Sequence, residues 1–168
     1  MMLDGLEDAY EAGRSMGTFG EDCAAKYHFT REQQDKFAMT SVQRAQSAIK
    51  SGAFKEEIAA VTLKDRKGER VVDTDEGPGR INDGAAAMVL MRESTANTLG
   101  CKPLARIVSH ATHAQEPEWF STAPIGATEQ ALAKAGWQVG DVDLWEINEA
   151  FAVVPMALMH DLKVPHDK

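Results

Sequence analysis

Apolar residues in the first third of the chain recur at intervals of three and four, which is the spacing of amphipathic helices. A first helix is predicted to end at Gly13, with apolar positions at Leu3, Leu6, Ala9 and Tyr10. A second, short helix is predicted over residues 19–27, with an apolar side formed by Phe19, Cys23, Ala24 and Tyr27. The chain is therefore expected to open with two short helices.

A third, longer helix is predicted to begin near Thr30. Thr30 and Gln33 form a capping box, in which the hydroxyl accepts the amide three residues on and the Gln side chain bonds back to the cap. The apolar face of this helix is predicted at Phe37, Ala38, Val42, Ala45 and Ile49. Ser51 and Gly52 are expected to end it, because glycine tolerates the left-handed conformation that closes many helices.

From Ile58 onwards the pattern changes to that of β-structure. Residues 59–63 and 71–72 flank a polar, glycine-containing tip at 65–68, which predicts a hairpin. The acidic, Gly- and Pro-containing stretch 73–82 has no apolar periodicity and predicts a linker.

Beyond the linker, apolar runs alternate with helical patterns. The runs lie at residues 85–91, 104–111 and 142–147, and the helical patterns lie at 94–99, 127–135 and 150–162. This alternation is typical of a layered sheet covered by helices, so we expect an α/β fold with a helical, hairpin-bearing lobe in front. The expected division is into residues 1–79 and residues 80–168.

Composition and charge narrow the class of protein. Of the 168 residues, 43% are hydrophobic and 26% are charged, which is the balance of a folded protein. The formal net charge of -8 disfavours binding to nucleic acid. The sequence has no apolar stretch long enough to cross a membrane and no signal-peptide pattern, so a cytoplasmic location is expected.

Cysteines and histidines do not form a recognisable metal or catalytic motif. Cys23 and Cys101 are far apart and are expected to be buried free thiols. His110 and His113 lie three residues apart at a predicted strand, so their side chains would leave opposite faces. His28 fits the C-terminus of a helix, where a positive charge is favourable. No metal site is expected, and the glycine-rich phosphate-binding motifs are absent from the sequence.

A polar pair in apolar surroundings is the strongest candidate for chemistry. Asn148 and Glu149 follow the predicted strand 142–147, and active-site groups of layered α/β folds often lie at such junctions. An amide there can orient a water or stabilise an oxyanion. The alternative is that either residue caps the following helix. A second polar set, residues 82–84, is more simply explained as a cap or a tight turn.

Several segments, taken in order along the chain, resemble the thiolase family, and within it the bacterial acetyl-CoA C-acetyltransferases. The matching segments are residues 15–18, 30–38, 52–54, 57–58, 82–87, 102–107 and 143–152. The resemblance implies an incomplete version of the layered thiolase fold. It also implies acyl transfer between a cysteine and coenzyme A, on acetyl-CoA and acetoacetyl-CoA or other 3-ketoacyl-CoA substrates. Coenzyme A is then a substrate and no cofactor is implied, and the expected assembly is a homodimer or homotetramer.

The resemblance also assigns roles to individual residues. Asn148 matches the asparagine of the family's Asn-Glu-Ala-Phe motif, which holds a water in an oxyanion hole, and Glu149 matches its neighbour. Met16 matches a residue that lines the acyl and pantetheine pocket, and Phe151 matches a residue of the pocket wall. Ser15 stands where biosynthetic members carry histidine, which favours the degradative type.

Departures from the family pattern limit what the chain is expected to do alone. The segment with the nucleophilic cysteine would precede Met1, and the motifs with the catalytic histidine and the second cysteine would follow Lys168. An adenine-contacting stretch is missing between Gly79 and Asn82. We therefore expect a fragment that is inactive by itself. The alternative is a non-catalytic module that binds coenzyme A or associates with itself.

Overall fold

The computed structural model describes residues 6–66, 68–75 and 87–168 and confirms a mixed α/β protein. The helices are α1 (Gly17–Tyr27), α2 (Arg31–Ser51), α3 (Glu93–Leu99), α4 (Ala123–Ala135) and α5 (Val153–Leu162). The strands are β1 (Val61–Asp65) and β2 (Gly68–Val72), and short 3₁₀ segments occupy Pro117–Thr122 and Val139–Asp141.

Contacts divide the chain into two compact units. One contains the described residues up to Gln34 together with Gly100–Lys168, and the other contains Asp35–Leu99. The first unit holds α1, α4 and α5, whereas the second holds most of α2, both strands and α3. The boundary predicted at residue 79 falls within residues 76–86, which lie outside the described part, and it stays a prediction.

The core of the first unit lies where α1 packs against α5. The buried residues at its centre are Cys23, Ala24, Val153 and Ala157, and the half-buried residues around them are Tyr27, Phe29, Ile125 and Phe151. The predicted apolar side of α1 is confirmed, since Phe19, Cys23 and Ala24 are buried and Tyr27 is half-buried. Removal of these side chains from water supplies the main driving force for packing the two helices together.

Two helix caps connect α1 to α2. His28 has a left-handed φ of 57° and ends α1, and the Phe29 amide donates to the Ala24 carbonyl at 2.9 Å. The capping box follows directly, since the Thr30 amide donates to Gln33 Oε1 at 2.8 Å and the Gln33 amide donates to Thr30 Oγ1 at 3.2 Å. Both predictions for this junction are confirmed.

The predicted apolar face of helix α2 is only partly covered by other residues. None of the described residues of this helix is fully buried. The half-buried residues of this face are Phe37, Val42, Ala45 and Ile49. Ala38, predicted on the same face, is exposed. Gly52, with a φ of 68°, follows the helix as predicted.

The predicted hairpin is confirmed. Its strands pair antiparallel, from Val61 opposite Val72 at the open end to Asp65 opposite Gly68 at the turn. Gly68 has a φ of 133°, which residues with a side chain rarely adopt. A two-stranded ribbon of this kind is only marginally stable by itself.

The prediction of a helix that ends at Gly13 is wrong for the residues that the structure describes. Leu3, which was part of that prediction, lies outside the described residues. Residues 6–15 form a loop closed by an antiparallel bridge between Glu7 and Ser15. The Glu7 carboxylate also accepts a hydrogen bond from the amide of Gly13, whose φ is 84°. Closure of this loop by non-helical hydrogen bonds outweighs a weak apolar periodicity, because helix propensity is only a small energetic bias.

The three apolar runs of the second half do not form the predicted sheet. Residues 87–92, 104–111 and 142–147 contain no strand, and the sheet of the described residues consists of β1 and β2. A strand exists only when a neighbour completes its backbone hydrogen bonds, and the described residues supply no such neighbour to these runs. Residues 76–86, which include the polar set 82–84, lie outside the described residues.

The predicted helices of the second half are confirmed with shifted ends. Helix α4 begins at Ala123 instead of residue 127, because Pro124 fits the first turn of a helix, where no amide donor is needed. Gly136 ends α4 with a φ of 71°. Helix α5 begins at Val153, after the predicted start at Ala150.

Candidate active site

Met16 lies at the entrance to α1. It is the residue that precedes the helix, with a φ of -56° and a ψ of -22°, and its side chain is half-buried. Its amide donates to the Leu6 carbonyl at 2.8 Å, so the loop of residues 6–15 holds the backbone at this position.

Arg14 ties the same loop to α1. The centre of its guanidinium group lies 4.1 Å from the centre of the Phe19 ring, which is a cation–π contact. Its Nη2 lies 3.1 Å from Asp22 Oδ2, and its Nε donates to Thr18 Oγ1 at 3.1 Å. These contacts position the backbone that leads into Met16, since Arg14 precedes it by two residues.

Phe151 packs on the face of α1 that follows Met16. A Cβ atom at Gly20 would lie 3.7 Å from the Phe151 ring, in ordinary van der Waals contact. The rings of Phe120 and Phe151 have centres 6.2 Å apart, and Phe120 contacts Phe19 edge to face at 6.0 Å. Residues four apart share one face of a helix. Met16, which has helical backbone angles, and Gly20 therefore mark one side of α1, and Phe151 covers that side.

Asn148 and Glu149 lie in an irregular stretch shortly before Phe151, and both are exposed. Their interpretation as helix caps is wrong. Helix α5 begins at Val153, and the residue at its cap position is Ala152, which makes no side-chain cap hydrogen bond. The other interpretation, that the pair serves a reaction, stays a prediction.

The segment that leads to Asn148 is fixed by the last residue of the sequence. The Trp145 amide donates to the Lys168 carbonyl at 2.9 Å, and Lys168 Nζ donates to the Val142 carbonyl at 2.9 Å. The indole Nε1 of Trp145 is buried without a hydrogen-bond partner among the described residues. Sequence reasoning missed this support, because no local pattern connects residues 142–145 with Lys168.

Cys23 is a packing group, as predicted, with none of its surface exposed. Burial raises the pKa of the Cys23 thiol, and this outweighs the Ser121 hydroxyl and the Lys26 charge, which both lower the pKa. Although Ser121 Oγ lies beside the thiol, it is buried and forms no hydrogen bond of normal geometry with any described residue. A buried thiol with a raised pKa is a poor nucleophile.

The prediction that Cys101 is buried is wrong. Its thiol is free and exposed, so it does not pack in a core as expected. The reason is its position next to Gly100, the turn after α3, where the following run 104–111 is itself largely uncovered.

A hydrogen-bonded cluster that sequence reasoning missed joins the far end of α1 to the end of α5. The Tyr27 hydroxyl donates to Asp161 Oδ2 at 2.7 Å, and His160 Nδ1 lies 2.8 Å from Asp161 Oδ1. Tyr27 stacks on Phe29 at 5.4 Å and meets the His160 ring edge to face at 5.3 Å. The two helices are therefore joined by polar contacts at the end opposite to Met16.

The two carboxylate contacts change the acid–base properties of the cluster. Burial and the hydrogen bond to Asp161 raise the pKa of Tyr27 above its ordinary value. Burial alone would raise the pKa of Asp161, but the hydrogen bonds from His160 and Tyr27 outweigh it and lower that pKa. Asp161 is therefore ionised at neutral pH and accepts both bonds.

The side chain of His113 packs against α4. The His113 ring lies against Gly126, where an added Cβ would come within 2.8 Å of it, and His113 Nδ1 lies 3.3 Å from Gln130 Nε2. The described part of the chain contains no group of three side chains that could hold a metal ion. None of the described helices is both long and apolar enough to span a membrane.

The two thiols are expected to differ sharply in reactivity. In the native chain a thiol reagent such as dithiobisnitrobenzoate should modify Cys101 quickly and Cys23 only on unfolding, since Cys23 has no exposed surface. Cys101→Ser should abolish the fast phase, whereas Cys23→Ala should retain it. Fast modification of Cys23 in the folded Cys101→Ser chain would contradict the assignment.

Stability is expected to fall in acid through Asp161. Because its pKa is lowered in the folded state, the contribution of Asp161 is present above its unfolded-state pKa of about 4 and is lost as the pH falls through the folded-state value. Asp161→Asn should cost up to about 1 kcal/mol of unfolding free energy at pH 7, since the pair is partly exposed. Urea unfolding from pH 7 to pH 3 should show this difference shrinking. Asp143→Asn, at an exposed carboxylate of the same unit, is the control and should change little.

Comparison with family models assigns the two parts of the chain to one family. The model of the thiolase N-terminal domain matches residues 1–80, and the model of the thiolase C-terminal domain matches residues 101–168. The two matches together cover most of the sequence.

The relatives that match this sequence are named acetyl-CoA acetyltransferases. An acetyl-CoA acetyltransferase of Paracoccus denitrificans is 42% identical over 189 residues, which cover 96% of this chain and 48% of the relative. A cytosolic acetyl-CoA acetyltransferase of Mus musculus is 40% identical over 197 residues, which cover 100% of this chain and 49% of the relative. The chain thus spans about half the length of the curated relatives that it matches. Both aligned regions exceed 168 residues, so the relatives carry residues inside the match that this chain lacks.

A solved structure agrees with the sequence relatives. The crystal structure of the Bacillus anthracis acetyl-CoA acetyltransferase superposes with a TM-score of 0.86 and 32% sequence identity. The superposition covers 97% of this chain and 48% of that chain. Nearly every residue of the present fold therefore has a counterpart in one half of a longer protein.

Proposed function

Because the chain belongs to the thiolase family, we propose that it is part of an acetyl-CoA C-acetyltransferase and forms one side of its acyl-transfer site. The observation that carries the proposal is the superposition on the Bacillus anthracis enzyme, which extends over 97% of this chain. The substrates are acetyl-CoA and acetoacetyl-CoA or another 3-ketoacyl-CoA, and coenzyme A takes part as a substrate without a separate cofactor.

Asn148 is the polar group of this site that acts on the reacting thioester. Its amide is exposed and is not used to cap α5, so it is available to hold a water against the thioester oxygen. Donors placed where negative charge develops lower the barrier of acyl transfer. Glu149, the neighbouring carboxylate, completes the polar end of the motif.

Met16 and Phe151 form an apolar wall for the acyl group and the pantetheine arm. Both side chains are half-buried, so each keeps part of its surface available to a ligand. Phe151 is held by Phe120 and by α1, and the loop of residues 6–15 holds the backbone of Met16. A wall supported in this way needs little rearrangement when a substrate binds.

The nucleophilic thiolate comes from a part of the thiolase fold that this sequence does not contain. Cys23 is buried with a raised pKa, which is the opposite of what a nucleophile requires. We therefore infer that the 168-residue chain does not turn over acetoacetyl-CoA by itself. A cytoplasmic location and a homodimeric or homotetrameric parent enzyme complete the proposal, and the cytosolic mouse relative supports the location.

A chimera tests the proposal directly. The matched half of the Paracoccus denitrificans enzyme is replaced by this chain, and thiolysis of acetoacetyl-CoA is measured. Asn148→Ala in this chimera is expected to lower kcat by about 10²- to 10³-fold, the usual effect of losing an oxyanion donor. Asn97→Ala, at an exposed amide in α3, is the matched control and should leave kcat unchanged.

The chimera also separates the proposal from its alternative. A folded chimera without turnover, together with tight binding of coenzyme A by the isolated chain, would favour a non-catalytic module. Equal kcat values for Asn148→Ala and Asn97→Ala would remove Asn148 from the reaction.

A further inference from the structure

The 3₁₀ segment Pro117–Thr122 supports the proposed pocket wall. It lies against α1, α4 and α5. The ring of Phe120 in this segment has its centre 6.2 Å from that of Phe151, and it meets Phe19 of α1 edge to face at 6.0 Å. Phe120 is therefore the side chain through which the segment contacts Phe151. Whatever fixes the backbone at residue 120 also affects the position of the Phe151 ring.

The backbone of this segment departs from regular helical geometry just before Phe120. Trp119 has a φ of -104° and a ψ of 16°, which are not helical values. A short 3₁₀ turn is weak by itself, because its hydrogen bonds have poorer geometry than those of an α-helix. The segment therefore needs further contacts to keep one conformation at Phe120.

Gln115 supplies these contacts. Its side-chain amide donates to the Trp119 carbonyl and, at 2.7 Å, to Thr122 Oγ1. The Thr122 hydroxyl in turn donates to the same Trp119 carbonyl at 3.0 Å. The amide nitrogen has two N–H groups and the carbonyl oxygen has two lone pairs, so these groups satisfy one another. We refer to Gln115, Trp119 and Thr122 as the Gln115 network.

The Gln115 network is shielded from water and does not serve as a helix cap. Thr122 is 8% exposed, and Gln115 and Trp119 are half-buried. Thr122 occupies the cap position of α4, yet its side chain makes no cap hydrogen bond. Its hydroxyl bonds to the Trp119 carbonyl instead. Breaking such a network is unfavourable, because a buried polar group left without a partner has also lost its contact with water.

The network acts on Phe120 through the peptide bond. The Trp119 carbonyl belongs to the planar peptide unit that leads into Phe120, so the hydrogen bonds to this oxygen fix the orientation of that unit. A separate contact, between Lys26 Nζ and the Trp119 ring at 4.4 Å, restrains the indole and not the carbonyl. Lys26 therefore does not replace Gln115.

We propose that Gln115 is a positioning residue of the acyl site. It holds Phe120 so that Phe151 keeps its place in the wall, and it thereby limits the length of the acyl group that the site accepts. Closely packed rings pass on a displacement, because there is little free space between them. The effect on acyl length rests on the proposed function, whereas the support of Phe151 does not.

A fluorine label tests the support of Phe151 without any turnover. Phe151 is replaced by 4-fluorophenylalanine in the 168-residue chain, and its ¹⁹F resonance is recorded. Gln115→Met and Thr122→Val remove hydrogen-bonding groups at similar volume, and each is expected to shift or broaden the resonance. Thr122→Ser retains the hydroxyl and should preserve it. Gln130→Met is the matched control, since Gln130 lies in the same unit but contacts His113.

Kinetics of the chimera with the Paracoccus denitrificans enzyme test the effect on acyl length. The values of kcat and KM are measured for acetoacetyl-CoA and for the longer 3-ketohexanoyl-CoA. Gln115→Met is expected to shift the ratio of the two kcat/KM values by about tenfold toward the longer substrate. Most of the shift should lie in KM, because a change in the wall alters binding more than the chemical step. Thr122→Ser and Gln130→Met should leave the ratio unchanged.

Several outcomes would overturn the inference. One is an unchanged fluorine resonance in folded Gln115→Met and Thr122→Val chains, with folding verified by circular dichroism. Another is an equal shift of the resonance in Gln130→Met. A shifted resonance with an unchanged substrate ratio in an active chimera would reduce Gln115 to a structural role. A chimera without turnover would count against the proposed function, while the fluorine shift would still decide whether Gln115 holds Phe151.

Discussion

The packing of α1 against α5 is the interaction on which the first unit depends. Cys23 and Ala157 have no exposed surface at the centre of this contact. The entrance to α1 carries Met16, and the stretch before α5 carries Asn148 and Phe151, so these predicted site residues lie next to the helices that form this contact. The hydrogen bond between Tyr27 and Asp161 joins the C-terminal ends of the same two helices.

The same contact determines what Cys23 can do. A thiol used as a packing group gains stability from burial, and that burial raises its pKa and removes it from reagents. A reactive cysteine needs an open, positively charged environment, so the two uses exclude each other at one position. Buried Cys23 is therefore excluded as the nucleophile of the proposed acyl transfer.

Local features were predictable from the sequence, and features that need distant partners were not. The capping box at Thr30 and the hairpin turn at Gly68 depend on residues within a few positions of each other, and both were predicted correctly. The runs at 104–111 and 142–147 were expected to be strands, but strand formation depends on a neighbour that the described residues do not provide. The prediction of a helix before Gly13 failed for a related reason. The backbone bridge between Glu7 and Ser15 closes a loop there, and the local preference for a helix is too weak to prevent it.

The candidate site shows the same division. The motif at Asn148 and Glu149 could be found in the sequence, but only the structure excludes their use as caps, since α5 begins at Val153. The contact of Phe120 with Phe151 and the bond from Tyr27 to Asp161 join residues that are far apart in the chain. Neither the periodicity of apolar residues nor the spacing of motifs in the sequence indicates such pairs.

The central claim is that this chain contributes the wall of an acyl-transfer site without contributing its nucleophile. The most direct measurement is the intact mass of the chain after incubation with acetyl-CoA at neutral pH, followed by peptide mapping of both cysteines. The account predicts an unmodified chain, with Cys23 protected until the protein is unfolded. An acetyl group found on either Cys23 or Cys101 of the folded chain would contradict it.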